Sequence, residues 1–196
     1  MKEQKEFTPQ ESLELIKNMI ESTKGKVADD SFYFLFWGWL VFACCLIQYI
    51  MKVQLQMEQH YWVWFLMPIG GVITAIYGSK KAKTVKVKGF VDDAMNYLWT
   101  SIVLSFIVMV IINSYNEGWK VAFTYYILLY AIGTYVTGSL IRFRPLIIGG
   151  LINFVLAAVS NRFSFDNQLL LGAFAILCSY IIPGHLLRLR FKQQKS

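Results

Sequence analysis

Few residues in this chain could do chemistry, and they are scattered along it. The two histidines, His60 and His185, fall on opposite sides of the membrane in the topology that the charges predict, so they cannot share a metal ion. A zinc or di-metal site needs several His, Cys or carboxylate ligands close together. The three cysteines all lie inside apolar stretches, where small thiols behave as hydrophobic side chains; they are Cys44, Cys45 and Cys178. We therefore expect no metal site, no cofactor and no disulfide.

Serine is a nucleophile in many hydrolases, but it needs a base beside it. Ser101, Ser105 and Ser179 lie in apolar stretches with no His or Lys at a matching depth. Asp92 and Asp93 stand at the start of another stretch, where the dipole of a helix N-terminus stabilises acidic side chains. The alternative role for this acidic pair is a cytoplasmic contact with a cation or a partner. The expectation is a protein without catalytic residues.

The elements that would position these residues are six apolar stretches. The chain is 56% hydrophobic and 16% charged, against about 45–50% and about 25% in soluble domains. A membrane-spanning helix needs about 20 mostly apolar residues. The predicted spans are about 31–51, 61–79, 93–112, 119–141, 145–160 and 167–187. The fold class is therefore all-α, a polytopic helical membrane bundle of six transmembrane helices over residues 31–187.

The positions of Lys and Arg predict how the bundle is oriented. All but three of the 19 basic residues lie in the N-terminal segment, in every second connection or in the tail at 188–196; the exceptions are Lys52, Lys120 and Arg162. Loops rich in Lys and Arg remain in the cytoplasm during insertion. Both termini are thus predicted to be cytoplasmic. The net charge of +7 is interpreted as suited to contact with anionic lipid headgroups and not with nucleic acid.

The cytoplasmic segment 1–30 contains an amphipathic helix at about 9–24. It begins at the capping signal Thr8-Pro9-Gln10-Glu11. Its apolar stripe is Leu13, Ile16, Met19 and Ile20, the predicted partner-binding residues. Helices that bind anionic lipid usually have a strongly basic polar face, whereas the charges here nearly balance. We therefore expect the stripe to dock on protein: its own bundle, a second copy, or a separate cytoplasmic partner.

Small residues spaced by four let helices approach closely in membranes. This spacing predicts helix-packing roles for Gly70, Gly71, Thr74, Gly78, Gly133, Gly149, Gly150 and Asn153. The other uncharged polar residues in the spans are expected to bond between helices, namely Gln48, Asn96, Thr100, Thr134 and Gln168. Asn153 is the deepest amide, and helix packing is favoured for it over the lining of a substrate path.

Three stretches carry a resemblance to known proteins: SLELIKNMIESTKG, SFYFLFWGWL and YIIPGHLLRLR. With Trp37-Gly38-Trp39 and Pro183-Gly184, the chain resembles an uncharacterised family of small six-span membrane proteins of Bacteroidota. The resemblance covers nearly the whole chain. It implies a bacterial cytoplasmic (inner) membrane and no assigned activity.

The leading functional hypothesis is a non-enzymatic integral membrane protein with a regulatory or scaffolding role through its cytoplasmic face. Its partners are the lipid bilayer and either a cytoplasmic protein or further copies of itself. The first alternative is a small transporter or channel subunit. The second is a lipid-modifying membrane enzyme, which the lack of a nucleophile or a metal set disfavours.

Overall fold

The structure is a computed structural model, and it describes residues 31–82, 90–115 and 117–195. The helix predicted at about 9–24 lies outside the described residues. The same is true of its stripe Leu13, Ile16, Met19 and Ile20. The described residues form the apolar helices and most of the connections between them.

The described residues are almost all helical and contain no strand. Helix α1 covers Ser31–Gln54 and ends in a π-helical turn, Ile50–Gln54. The 3-10 helix His60–Phe65 leads into α2 (Leu66–Ala82), and Glu117–Val121 leads from α3 (Phe90–Tyr115) into α4 (Ala122–Leu140). Helix α5 is Arg144–Ser160; α6 (Phe165–Ile176) continues through a π-helical turn, Leu177–Ile181, into α7 (Ile182–Lys195).

Within the described residues, five helices are long and apolar enough to cross a membrane: Ser31–Gln54, His60–Lys80, Val91–Tyr115, Gly118–Leu140 and Phe165–Arg190. This is the pattern of a multi-pass membrane protein. Helix α5 has 17 residues, which at 1.5 Å per residue gives about 25 Å, slightly less than the ~30 Å hydrocarbon layer. The all-α expectation is confirmed, while the count of six spans stays a prediction.

Close backbone contacts identify the central helices. A methyl group added at Gly138 of α4 would lie 2.7 Å from the backbone nitrogen of Ile147 in α5. One added at Gly150 would lie 2.7 Å from the backbone nitrogen of Tyr135 in α4. Only glycine permits this separation, so α4 and α5 form a tightly packed hairpin. The turn between them places Arg142 at a left-handed φ of 53°.

Helix α1 completes the core by packing on the end of the chain. Its Gly38 lies against Tyr180 and Ile181, and Gly184 of α7 lies against Leu35. Phe34 and Tyr180 are both nearly fully buried in this contact. The core is thus formed by α1, α4, α5 and the α6–α7 rod.

Helices α2 and α3 flank this core and expose most of their surface. In its most apolar stretch α3 buries only 6% of its residues, and α2 buries 11%, whereas the α6–α7 rod buries 56%. Each flanking helix contacts one neighbour through a glycine: Gly70 lies against Leu40 of α1, and Gly133 of α4 lies against Ile102 of α3. Their remaining apolar faces suit lipid or another protein.

Candidate functional site

A hydrogen-bonded network links α1 to the 3-10 helix His60–Phe65. The indole nitrogen of Trp64 donates to Oε1 of Gln48 at 2.6 Å. Nε2 of the same amide lies 3.0 Å from Nδ1 of His60. Gln48 is 2% exposed, so both ends of a buried amide are paired. We call Gln48, His60 and Trp64 the Gln48 network.

The chemistry of the Gln48 network fixes its protonation state. An indole N–H can only donate, so Gln48 must turn its carbonyl oxygen toward Trp64 and its NH2 group toward His60. Nδ1 of His60 must then accept a hydrogen bond, which requires it to carry no proton. The network is therefore complete only with a neutral imidazole.

A charged pair lies beside the Gln48 network. The ammonium of Lys52 bonds to Oδ1 of Asp166 and stands 4.5 Å from the centre of the Phe165 ring. The His60 ring lies 6.5 Å from the same phenylalanine. Both charged side chains are about one-third exposed, so the pair contributes at most about 1 kcal/mol. Its effect is to join the end of α1 to the start of α6.

Cys44 lies directly beneath the 3-10 helix. Its side chain is 0% exposed, and its sulfur lies 3.7 Å from the carbonyl oxygen of Val63. Cys44, Cys45 and Cys178 are all free thiols. Hydropathy predicts apolar surroundings for these residues; the structure adds that Val63, in the segment after α1, lies against Cys44.

Gln168 ties together two further connections at the same end of the bundle. Its Nε2 donates to the carbonyl oxygen of Lys120 at 2.9 Å and to that of Phe163 at 3.0 Å. Ser160 bonds to Thr124 at 2.8 Å, linking α5 to α4. The connections after α1, α3 and α5 therefore meet at one end, called here the His60 end. The turn at Arg142 lies at the other.

A second group of polar residues lies deep between α4, α5 and the π-helical turn. Thr134, Thr137, Asn153 and Tyr180 are 0–3% exposed, and each has a side-chain polar atom with no hydrogen bond of good geometry. Asn153 lacks a partner at both its nitrogen and its oxygen. The hydroxyls of Thr134 and Tyr180 nevertheless face each other. We call these four residues the buried polar seam.

The serine hydroxyls considered as nucleophiles are engaged within their own helices. Ser101, Ser105 and Ser179 donate to backbone carbonyls three or four residues earlier. In the described ranges, no three His, Cys, Asp or Glu side chains come together as a metal site. Asp92 and Asp93 occupy the first turn of α3, where the helix dipole favours them.

Most predicted packing glycines lie at close contacts. A methyl at Gly78 would lie 3.2 Å from the hydroxyl of Tyr33, and one at Gly149 would lie 2.8 Å from the backbone of Cys178 and Ser179. Together with Gly70, Gly133 and Gly150, five of these glycines adjoin another helix or the π-helical turn.

Three members of the predicted set differ from these glycines. A methyl at Gly71 would meet nothing within 4 Å, so the packing role predicted for Gly71 stays a prediction. Neighbouring residues on a helix point about 100° apart, and of these two adjacent glycines it is Gly70 that faces α1. Thr74 is half-buried and bonds within its own helix, to the carbonyls of Gly70 and Gly71. Asn153 is fully buried in α5 but has no polar partner.

Sequence reasoning missed the Gln48 network. Its residues are 12 and 16 positions apart, and the chain must reverse direction before they meet. A tryptophan near the end of a span is an ordinary interfacial residue, so Trp64 did not stand out. The one signal in the sequence was the position of Gln48, an amide one turn before the end of a span, which indicated a hydrogen bond there.

Comparison of the chain with protein-family models, with curated proteins and with solved structures yields no match.

Proposed function

We propose that the chain is a six-span protein of the bacterial cytoplasmic membrane with both termini in the cytoplasm. Charge asymmetry supports this orientation. The count of six is supported by the two ends of α5, since it begins at the Arg142 turn and its last residue, Ser160, bonds to Thr124 near the His60 end. One face of α5 packs against α4 and the π-helical turn through Gly150 and Gly149, and the opposite face exposes apolar side chains that suit lipid, such as Leu151 and Val155.

Thiol labelling tests this topology in a variant without native cysteines. Cysteines at Glu58, Asn116 and Asn161 should react with an impermeant reagent in intact cells, and one at Lys83 should react only after permeabilisation. Labelling at Lys83 with protection at Glu58 would invert the orientation. Protection at Asn161 with labelling at Asn116 would remove α5 as a span.

We further propose a non-enzymatic regulatory or scaffolding role, exercised through protein contacts on the cytoplasmic face. The observation that carries this is the contrast between a densely packed core and two flanking helices that remain exposed. A core held by glycine-mediated backbone contacts is suited to presenting surfaces. The cytoplasmic helix at about 9–24 would supply the contact for the partner.

The test is crosslinking in native membranes, followed by purification of the full chain and of a variant lacking residues 1–28. The proposal expects a defined crosslinked species that disappears in the deletion. The matched control is the pair Leu13→Ser and Ile16→Ser, which should lose the same species while keeping the polar face intact. Identical crosslinked species from all three proteins would argue against the role.

A transporter or channel subunit is the second candidate, and the buried polar seam is the observation in its favour. Uncharged polar groups without partners are costly inside a membrane bundle and can mark a path for a polar solute. Purified protein in liposomes should then show a solute flux that Asn153→Leu abolishes. If Asn153→Leu leaves the flux unchanged, the buried polar seam is not the path of the solute.

A further inference from the structure

The 3-10 helix His60–Phe65 has two faces with different surroundings. Val63 and Trp64 face the bundle, whereas Tyr61, Trp62 and Phe65 are 53%, 61% and 68% exposed. Aromatic side chains with this exposure suit the membrane interface. The segment contacts the bundle through the rings of Trp64 and His60, which lie 5.8 Å from Phe123 and 6.5 Å from Phe165, and the Gln48 network supplies its side-chain hydrogen bonds to α1.

Protonation of His60 leaves this network with no complete arrangement. A second ring proton would put two donors opposite each other, Nδ1–H of His60 and the NH2 group of Gln48. Rotating the amide would relieve that clash but would turn its NH2 group toward the indole N–H of Trp64, which cannot accept. One buried donor is orphaned in either case, and orphaned buried donors are strongly unfavourable.

We propose that the Gln48 network is a pH-sensitive latch. Neutral His60 holds His60–Phe65 against α1, and protonation of His60 releases the segment from Gln48 and uncovers Cys44. Because the closed form needs an unprotonated Nδ1, the latch is closed at high pH. It opens as the pH falls through the range in which His60 titrates, and histidines commonly titrate between pH 5 and 8.

The charged groups acting on His60 are Lys52 at the end of α1 and Asp166 at the start of α6. The lysine and the aspartate are paired with each other. Tyr61 lies beside the ring, with centres 5.9 Å apart. Lys52, Asp166 and Tyr61 are thus the titratable groups that face His60, and the latch depends on the proton at Nδ1 of His60.

Release of the segment would be transmitted along α2. This helix begins where the latch ends, at Leu66, and in its most apolar stretch only 11% of the residues are buried. In the proposed topology the latch faces the outside, and α2 leads to the lysine-rich connection at 80–88 in the cytoplasm. Acid outside the cell would then alter the cytoplasmic face of the protein, a consequence that rests on the proposed topology and on the proposed regulatory role.

The first experiment measures the tautomer directly, in purified full-length protein with 15N-labelled histidine rings. The chain has only two histidines, so His185→Gln assigns both sets of signals. At about pH 8, His60 should show one unprotonated nitrogen at Nδ1, and Trp64→Phe should remove this preference. A proton on Nδ1 of His60 at that pH would overturn the proposal.

The second experiment measures release through Cys44, with Cys45→Ala and Cys178→Ala making it the sole thiol. Its reaction with a small neutral maleimide is normalised to the unfolded protein at the same pH, which removes the intrinsic pH dependence of thiols. The normalised rate should rise by up to about tenfold for each pH unit below the transition. A rate that does not change between about pH 8 and about pH 5 would overturn the latch.

Three substitutions give the controls. His60→Gln provides an uncharged acceptor and should keep Cys44 protected at both pH values, whereas His60→Lys provides a permanent cation and should expose it at both. His185→Gln should leave the wild-type response unchanged. A response that persists in His60→Gln would assign the switch to another group. Neither experiment depends on topology or on a partner, so the latch can fail or hold independently of the proposed function.

Discussion

Asn153 and Gln48 are two buried amides with opposite circumstances. Gln48 has both ends paired, to Trp64 and His60, whereas Asn153 has neither end paired. An unpaired buried amide costs about 1–3 kcal/mol, and an apolar replacement of similar shape can be neutral or stabilising. A buried amide thus stabilises the fold where both of its ends are hydrogen-bonded and destabilises the fold where neither end is.

This contrast makes a prediction about Asn153→Leu and Gln48→Leu. The first should leave the melting temperature of the detergent-solubilised protein unchanged or raise it, because it removes two unpaired polar atoms. The second should lower it, because it orphans the indole N–H of Trp64, at a cost of about 1–3 kcal/mol. Thermal unfolding followed by circular dichroism measures both. A clear loss of stability in Asn153→Leu would show that Asn153 is paired in the folded protein.

At the scale of the helices, stability depends on where the backbones touch. The α4–α5 hairpin and the junction of α5 with the π-helical turn are close enough that a single methyl group would clash with backbone atoms. Backbone atoms cannot move aside as the end of a flexible side chain can. The neighbouring glycines of α2 differ from these, since Gly71 faces open space.

Alanine at Gly150 and at Gly71 should therefore have opposite effects. Gly150→Ala forces α5 away from Tyr135 and should lower stability by about 1–3 kcal/mol. Gly71→Ala meets no neighbour and gains helix propensity of up to about 1 kcal/mol, so stability should be equal or higher. Melting temperatures of the two variants in one detergent decide this. Similar losses for both would place Gly71 in a contact as well.

The positions of the spans can be predicted from hydropathy, because each spanning helix must be apolar over the thickness of the membrane whichever helices are its neighbours. The fifth stretch, predicted at 145–160, is helical over Arg144–Ser160. The third extends beyond its apolar part, from Phe90 to Tyr115, since a helix continues into the interface. The π-helical turn at Leu177–Ile181 has no local signal, because its backbone lies against Gly149 of another helix. The distinction between Gly70 and Gly71 likewise needs the orientation of α2.

The whole molecule depends on contacts between residues far apart in the chain. Lys52 and Asp166 are 114 positions apart, and Phe34 packs on Tyr180. Hydropathy identifies spans but does not say which ones are neighbours, so the Gln48 network and the buried polar seam could not be derived from the sequence. The polar side chains in the spans could be identified from the sequence. In the structure, four of them are buried: Gln48, Thr134, Asn153 and Gln168.

The cytoplasmic helix predicted at about 9–24 supplies a prediction at this scale. Isolated helices of about 15 residues are marginal in water, so a helix of this length would need a docking surface to remain ordered. Leu13→Ser with Ile16→Ser should release it, and protease should then cut near Lys17 or Lys24 faster in inside-out vesicles. The melting temperature of the spans should not change. Equal cleavage rates in wild type and variant would mean that the helix is not docked.

The packing of α1 on the end of the chain has a consequence for biosynthesis. The ribosome makes α1 first, but the helices that cover Phe34, Gly38 and Lys52 are made last. The α4–α5 hairpin can associate as soon as it is inserted, whereas α1 must wait in the membrane with its contact face open to lipid or to the insertion machinery. A nascent chain that stops before Phe165 therefore has an unclosed bundle, and quality-control proteases that recognise exposed intramembrane surfaces should remove it.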